Sequence, residues 1–295
     1  MRMIACFADV LRILWIGPMT RSLLLLCVGA CVVGATFVGC GGSNDVVKAP
    51  SSEERFDHAK KLFASRDYLE AINEFTVITL QDQGSTYAAD AQYYLAECRF
   101  KREEYLLAAF EYQVLKRNYP ASTRGAEGQY KIGLCYFSLS PRASLDQQYT
   151  RKAIDELQAF IEYYPTDSLV GSAEAKIGEM TNRLAKKQYE TAQLYGVMEY
   201  YRASLLTYDE VIEKYHDTEY APLAYVGKVE LLMSHNHYRE ATDEVDRFQR
   251  KYPNSVLKSK MDGLRQSADK EVRNGNNVDS TAPIKIQKQV ELPQL

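Results

Sequence analysis

A short phrase that ends in tyrosine and proline recurs along the chain and constrains its fold more than any other feature. It is KRNYP at 116–120, IEYYP at 161–165 and QRKYP at 249–253, and IEKYH at 212–216 is the same phrase with histidine in the proline position. Proline disfavours helix in the residue before it and has no N–H to continue one, so each phrase is expected to end a helix. A small residue stands twelve positions before each break: Ala108, Ala153, Ser204 and Ala241. The first repeat has no proline, and Ala71 takes the corresponding position there.

A second small residue precedes the first by twelve positions and adds another helix to each unit. This residue is Ala59, Ala96 or Ala192 in three of the repeats. In the third repeat it is Gly133, once eight inserted residues between the two helices are allowed for. Tyrosines are expected to open the second helices, at Tyr68, Tyr105, Tyr201 and Tyr238. Small side chains let two helices approach closely, and the spacing resembles the tetratricopeptide repeat (TPR), a helix–turn–helix unit. The sequence therefore predicts an all-α fold, a right-handed superhelical array of about five TPR helical hairpins.

The spacing also predicts the domain organisation. Successive small residues of the second helices are 37, 45, 51 and 37 residues apart. The extra residues predict a loop around 140–149 in the third repeat and a long first helix in the fourth, because 172–200 contains no proline. The repeats are expected at about 53–85, 89–122, 124–167, 168–218 and 220–256, with a C-terminal helix to 272 and a disordered tail at 273–295.

The N-terminal residues predict export and lipidation. An apolar run at 23–39 follows Arg21 and is followed by Cys40, which is typical of a signal peptide at 1–39, and we expect translation to start at Met19. The stretch FVGC at 37–40 resembles the lipobox of bacterial lipoproteins, with Phe37 where leucine is usual, and this resemblance implies a lipid on Cys40. Gly41 follows instead of the aspartate of an inner-membrane retention signal, so we expect the outer membrane, with 40–52 as a flexible tether facing the periplasm.

Two cysteines, Cys98 and Cys135, remain after Cys40 in the expected mature chain. Both stand at the same slot of successive repeats. A disulfide needs Cα atoms within about 7 Å, whereas neighbouring helices usually pack at about 8–10 Å. We therefore expect a free or buried pair of thiols and no disulfide between them.

Two segments narrow the resemblance to one family. SLDQQYTRKAIDELQAFIEYYP at 144–165 and RLAKKQYETAQLY at 183–195 resemble BamD, the lipoprotein of the outer-membrane β-barrel assembly (BAM) machinery. Lipobox, five repeats, the insertion in the third and the long helix of the fourth occur in the order of that family. The resemblance implies a non-enzymatic scaffold without a cofactor. It further implies that C-terminal repeats bind the POTRA domains of BamA and that N-terminal repeats receive unfolded β-barrel clients.

The same resemblance points to the second helix of the fourth repeat and to the fifth repeat for the BamA contact. Exposed candidates there are Arg202, Asp209, Glu213 and Arg239. The alternative is that these charges form an ordinary solvated helix face, which is the commoner role of surface charges.

A possible client groove follows from repeat geometry. In this repeat, side chains three residues before and four after the first-helix small residue point to the concave face. One row is Phe56, Tyr93, Tyr130 and Tyr189, and the other is Phe63, Phe100 and Phe137. The second row stops at Gly196. Stacked rings could hold an extended peptide that ends in an aromatic residue, but aromatics at these slots also serve packing alone, and both interpretations stay open.

Charge and motifs exclude several other function classes. Lys and Arg number 36 against 39 Asp and Glu, a formal net charge of −3, so the chain lacks the positive balance of a nucleic-acid binder. His235 and His237 have no clustered carboxylate or cysteine partner in sequence and predict a polar turn instead of a metal site. No phosphate loop or nucleophile elbow occurs, so no enzyme is predicted. The main alternative is another periplasmic TPR lipoprotein that scaffolds peptidoglycan or cell-division enzymes.

Overall fold

The recurring phrase does delimit helical hairpins. The structure, a computed structural model, describes residues 50–277, and within that range it contains helices and no strand. The fold is all-α, an array of TPR hairpins. The predicted signal peptide, Cys40, nearly all of the tether and residues 278–295 lie outside the described residues. The helices are α1 (Ser52–Ala64), α2 (Tyr68–Gln81), α3 (Ala88–Lys101), α4 (Tyr105–Asn118), α5 (Gly125–Leu139), α6 (Gln148–Tyr163), α7 (Val170–Val197), α8 (Tyr201–Lys214), α9 (Tyr220–Ser234), α10 (Tyr238–Lys251) and α11 (Lys258–Arg273).

Consecutive helices pair into hairpins that stack in chain order. The pairs are α1/α2, α3/α4, α5/α6, α7/α8 and α9/α10, and α11 packs on α10. Each helix packs mainly against the helices before and after it in the chain. The buried apolar residues of the described range accordingly fall into local clusters. Three clusters are each built from one hairpin and the first helix of the next, and the fourth joins helices α7 to α11. This nearest-neighbour construction is the hallmark of a repeat array.

Tyrosines mark both ends of the second helices. Tyr68, Tyr105, Tyr201 and Tyr238 are the first residues of α2, α4, α8 and α10. The tyrosine of each closing phrase is the residue directly after its helix, and its backbone N–H donates to the carbonyl four residues back; these are Tyr119, Tyr164, Tyr215 and Tyr252. The Tyr252 hydroxyl also donates to the backbone carbonyl of His216 at 2.8 Å, which joins the ends of the fourth and fifth repeats.

The small residues lie where the helices of a hairpin touch. Ala59, Ala71, Ala96 and Ala108 are fully buried, as are their counterparts Ala153, Ala192, Ser204 and Ala241. The approach is very close at Gly133, where a Cβ atom would lie 2.6 Å from the Cγ and Cδ2 atoms of Leu157. Glycine is therefore required at this crossing because any larger residue would displace a fully buried leucine.

The insertion of the third repeat is a loop that buried polar groups hold in place. It ends where α6 begins at Gln148. The Nε2 atom of buried Gln147 donates to the carbonyls of Arg142 and Leu145, at 2.9 and 3.0 Å. From α7, the Arg183 guanidinium donates to the Ser140 and Pro141 carbonyls. The fourth repeat opens with the predicted long helix: α7 has 28 residues and also contacts α5 and α9.

The two thiols of Cys98 and Cys135 are free and fully buried, which confirms the expectation for this pair. Burial raises the pKa of each to about 12. A protonated thiol is a poor nucleophile, so both side chains act as small core residues.

Candidate functional site

Tyr189 of the first aromatic row is only partly buried, whereas Phe56, Tyr93 and Tyr130 are packed inside the array. Only 5–8% of these last three residues is exposed. Phe56 contacts the rings of Phe75, Tyr87 and Tyr94, and the Tyr130 hydroxyl lies 2.9 Å from the Ser172 hydroxyl. The groove is therefore narrower than the repeat offsets predict, because the first helix of each following repeat covers this row.

Tyr93 shows how firmly the row is held. Its hydroxyl donates to Glu127 at 2.5 Å, and the Arg124 guanidinium lies 4.8 Å from its ring centroid. Burial, followed by the hydrogen bond to Glu127, raises the pKa of the Tyr93 phenol. This hydroxyl is committed to an internal hydrogen bond and is not free for a ligand.

The second row, Phe63, Phe100 and Phe137, remains partly exposed. The ring of Phe63 meets Tyr68 and Tyr94, with centroids 5.6 and 5.4 Å away. The Lys131 ammonium lies 5.1 Å from the Phe100 ring, and that of Lys176 lies 4.3 Å from the Phe137 ring. These rings combine apolar surface with a nearby cation, which suits contact with an aromatic or anionic peptide group.

The four charged candidates of the fourth and fifth repeats fall into two classes. Arg202 and Glu213 on α8 and Arg239 on α10 are exposed, and no ion-pair partner for them occurs within residues 50–277. Asp209 is different, because it is partly buried and pairs with Lys228 of α9 at 2.6 Å. Asp209 therefore belongs to the joint between the repeats, and three candidates are left as free surface charges.

Lys228 is the centre of this joint. Its ammonium is nearly buried and donates to Asp209 on one side and to Glu244 of α10 on the other, at 2.6 and 2.8 Å. Burial alone lowers the pKa of Lys228, but the hydrogen bonds to the two carboxylates outweigh it and raise the pKa overall. Arg247 binds the same Glu244 oxygen at 2.8 Å, while the buried Oε2 atom of Glu244 has no hydrogen-bond partner in the described range.

Sequence reasoning missed this joint. The one sign of the joint in the sequence is Lys228, which stands within the apolar stretch AYVGKVELL at 224–232 of α9. Lysine side chains are mostly exposed in proteins, so a lysine is not expected in such a stretch. The partners could not be identified in the same way, since they come from two other helices. Lysine in such a setting is paired because an isolated buried charge is costly.

The histidines of the fifth repeat lie at a hairpin turn. The rings of His235 and His237 stack on Tyr201, with centroids 4.1 and 5.6 Å away. His237 also contacts Glu240 at 3.2 Å. Within the described residues, no group of three or more His, Cys, Asp or Glu side chains could hold a metal ion.

The matched family decides the identity of the array. The YfiO family, described as an outer membrane lipoprotein, matches residues 48–236, which is more than half of the chain. The chain belongs to the YfiO family. YfiO is the BamD family, so the resemblance of 144–165 and 183–195 is confirmed, and both segments lie inside the matched residues. Membership supports an outer-membrane location and a TPR scaffold.

Two solved structures similar to this chain are described as TPR proteins. The TPR2AB domain of yeast Sti1, described in complex with pHSP90, is 17% identical over 76% of this chain and 93% of that chain, with a TM-score of 0.40. A thermophilic TPR protein of Thermus thermophilus, TTC0263, is 14% identical over 76% of this chain and all of that chain, with a TM-score of 0.31. No curated protein matches the sequence.

Proposed function

We propose that this chain is a lipid-anchored, non-enzymatic scaffold of the BAM complex, which helps to insert β-barrel proteins into the outer membrane. The observation that carries the proposal is the YfiO match over 48–236 on an array of TPR hairpins. Its C-terminal repeats bind the POTRA domains of BamA, and its N-terminal repeats receive unfolded outer-membrane clients. Repeat arrays present extended surfaces to other chains, which supports a scaffold role.

The deciding experiment is affinity purification of the tagged full chain from solubilised membranes. We expect BamA and other BAM components to co-purify. Recovery of peptidoglycan or cell-division enzymes without BamA would instead assign the chain to the alternative scaffold and overturn the proposal.

The anchor is proposed on Cys40. No helix in the described part of the chain has the length and apolarity to cross a membrane. A Cys40→Ser variant should lose the lipid mass and leave the membrane fraction, whereas Cys98→Ser should keep both. Retention of the lipid mass by the Cys40→Ser protein would contradict lipidation at this residue.

The BamA contact is proposed on the exposed charges of α8 and α10. Reversal of Arg202 and Arg239 together to Glu should weaken binding to isolated POTRA domains, because both residues are exposed and their guanidinium groups have no ion-pair partner among residues 50–277. Arg117→Glu, on the exposed face of α4, is the matched control. Equal affinity of the double variant and the control would remove these residues from the interface.

The client contact is proposed on the second aromatic row. A photoreactive amino acid at position 100 should crosslink to an unfolded β-barrel client, since Phe100 is partly exposed on the first-helix face. The matched control is position 110, where Phe110 of α4 is 55% exposed on a second helix. Crosslinks from 110 and none from 100 would place clients on the other surface.

A further inference from the structure

A pair of side chains that fills the space between successive first helices is missing between the fourth and fifth repeats. Its first member is the residue four positions after the small residue of one first helix. Its second member lies in the next first helix, two positions before the position that corresponds to that small residue. The pair is Phe63 with Tyr94 in the first repeats, at a centroid distance of 5.4 Å, and then Phe100 with Lys131, at 5.1 Å. In the fourth and fifth repeats both positions are glycine, Gly196 and Gly227. We call this place the Gly196–Gly227 gap.

The gap is an open cleft with built walls. Its volume is about 360 Å³, and α7, α8, α9 and the start of α11 line it. The rings of Tyr189 and Tyr208, 6.1 Å apart, form one wall. Val226, Leu231 and Leu257 supply apolar surface. The neighbouring Gln193 and Ser234 side chains add hydrogen-bonding groups at its edge.

The two glycines have different surroundings. At Gly227 a Cβ atom would lie 2.7 Å from the Tyr208 ring, so this glycine lets the tyrosine lie against α9. At Gly196 a Cβ atom would meet only ordinary contacts, 3.5 Å to the Ser204 hydroxyl and 3.9 Å to Leu231. Packing therefore explains the first glycine and leaves room at the second, where earlier repeats carry phenylalanine.

A cation stands at the cleft, as one does beside rings elsewhere in the array. Lys60 lies 4.6 Å from the Tyr94 ring centroid, and Lys131 lies close to Phe100. In the Gly196–Gly227 gap the cation is Lys260, which lines the cleft and pairs with Glu230 at 2.8 Å. Its positive charge complements the negative face of an aromatic ring.

We propose that the Gly196–Gly227 gap binds a phenylalanine or tyrosine side chain from an extended segment of a partner polypeptide. The ring replaces the phenylalanine that earlier repeats supply themselves, and Lys260 lies over its face. The C-terminal residues 278–295 contain no Phe, Tyr or Trp, so the chemistry required is not that of this tail. The inference does not depend on the BAM assignment, because it rests on the cleft and its lining alone.

The test uses a blocked peptide, Ac-Ser-Thr-Gln-Phe-Thr-Gln-Ser-NH2, carrying a fluorophore, and the full chain purified in detergent. Fluorescence anisotropy should show binding of this peptide and at least tenfold weaker binding of the same peptide with Ala in place of Phe. A version with benzoylphenylalanine at the central position should crosslink to α7, α9 or α11 beside the gap.

Gly196→Phe restores the missing ring and should abolish this binding. Gly178→Phe is the matched control, because it makes the same change on the same helix, where a Cβ atom would meet nothing within 4 Å. Circular dichroism checks that both variants fold. Lys260→Gln leaves the cleft open and should weaken binding about two- to five-fold, the loss expected for an exposed cation–π contact.

Four results would overturn the proposal. The first is equal binding of the Phe and Ala peptides, and the second is equal loss in Gly196→Phe and Gly178→Phe. The third is crosslinking confined to Phe63 or Phe100, which would assign the ring to the first repeats. Binding that emerges only after removal of residues 278–295 would assign the gap to this chain's own tail and would also overturn it.

Discussion

At the scale of single residues, the role of a glycine in a first helix depends on what a Cβ atom would contact at that position. Gly133 faces fully buried Leu157 at a distance too short for any side chain. Gly178 on α7 faces open space. The same amino acid is therefore a packing requirement at one position and an avoidable loss of helix propensity at the other.

Replacing each of these two glycines by alanine should shift stability in opposite directions. Gly133→Ala should lower the free energy of unfolding by about 1–3 kcal/mol, because the added methyl group overpacks the helix crossing. Gly178→Ala should raise it by about 0.5–1 kcal/mol through helix propensity. Urea denaturation followed by circular dichroism measures both, and a neutral Gly133→Ala would show that Leu157 can move aside without cost.

At the scale of elements, the hairpins share one type of turn. Four of them pass through a left-handed residue, at Arg66, Glu103, Glu199 and Asn236, with φ between 61° and 66°. In each, the next residue donates its N–H to the carbonyl five residues before it, as Glu104 does to Arg99 at 3.0 Å. This is the Schellman arrangement, for which only asparagine among the four is a favoured residue after glycine. The inserted loop of the third hairpin takes the place of this turn.

The turn geometry predicts a strong dependence on side-chain shape. Glu103→Val should lower the free energy of unfolding by about 1–2 kcal/mol, since a β-branched residue is strained at positive φ. Lys101→Val, at the exposed end of α3, should cost only about 0.5 kcal/mol of helix propensity. Thermal or urea denaturation compares the two variants; similar losses would mean that the turn relaxes to another conformation.

The joint between the fourth and fifth repeats should be sensitive to loss of its central cation. Lys228→Ala leaves Glu244 buried without that partner and should cost about 3–5 kcal/mol. Arg247→Ala removes a more exposed cation from the same carboxylate and should cost less than about 1 kcal/mol. Adding Glu244→Gln to Lys228→Ala should recover part of the loss. If it recovers nothing, the cost of Lys228→Ala comes from lost packing and not from charge.

At the scale of the whole molecule, the array behaves as a line of local cores. The cluster around Phe75 belongs to the first repeats, and the cluster around Phe248 belongs to the last. Stability in such arrays is a sum over repeats and their nearest neighbours. Damage in one repeat is therefore expected to stay near that repeat.

Hydrogen exchange can test this locality with the Lys228→Ala variant. Amides of α8 to α11 should exchange faster than in the wild type, whereas those of α1 to α4 should be unchanged. Uniformly faster exchange along residues 50–277 would show that the described array unfolds as one cooperative unit.

The buried tyrosines and thiols make the array sensitive to alkali. Burial raises the pKa of Tyr208 to about 12 and that of each buried cysteine to about 12, so the folded chain keeps protons that the unfolded chain loses. Groups with raised pKa values stabilise the fold below the unfolded pKa, and this contribution falls as pH rises toward the folded value. The free energy of unfolding should decline from about pH 9, where unfolded thiols ionise, and more steeply above about pH 10, where unfolded phenols do.

Urea midpoints between pH 7 and 11.5, together with tyrosinate absorbance, measure this decline. Each retained proton contributes a slope of about 1.4 kcal/mol per pH unit. A Cys98→Ala/Cys135→Ala double variant should lack the early decline near pH 9 and keep the later one. Midpoints independent of pH up to 11 would contradict raised pKa values for these groups.

The sequence by itself determined the hairpins, because helix-ending phrases and buried small residues are local patterns that repeat. Tyr105 and Tyr119 bracket α4 as their positions in the repeat predict. The lipobox and the segments that carry the family resemblance are also short contiguous stretches, so the sequence alone shows them. The YfiO match confirms the family.

Only the tertiary structure decided which of the repeated positions are open. The positions of Tyr93 and Phe100 within their repeat predict that both side chains point to the concave face. In the structure the next repeat buries Tyr93 and leaves Phe100 partly exposed. The joint at Lys228 and the gap at Gly196 arise in the same way, from residues of different repeats that meet in space. Such meetings depend on how hairpins stack, and a side chain's neighbours across that stack are not encoded in its spacing along one helix.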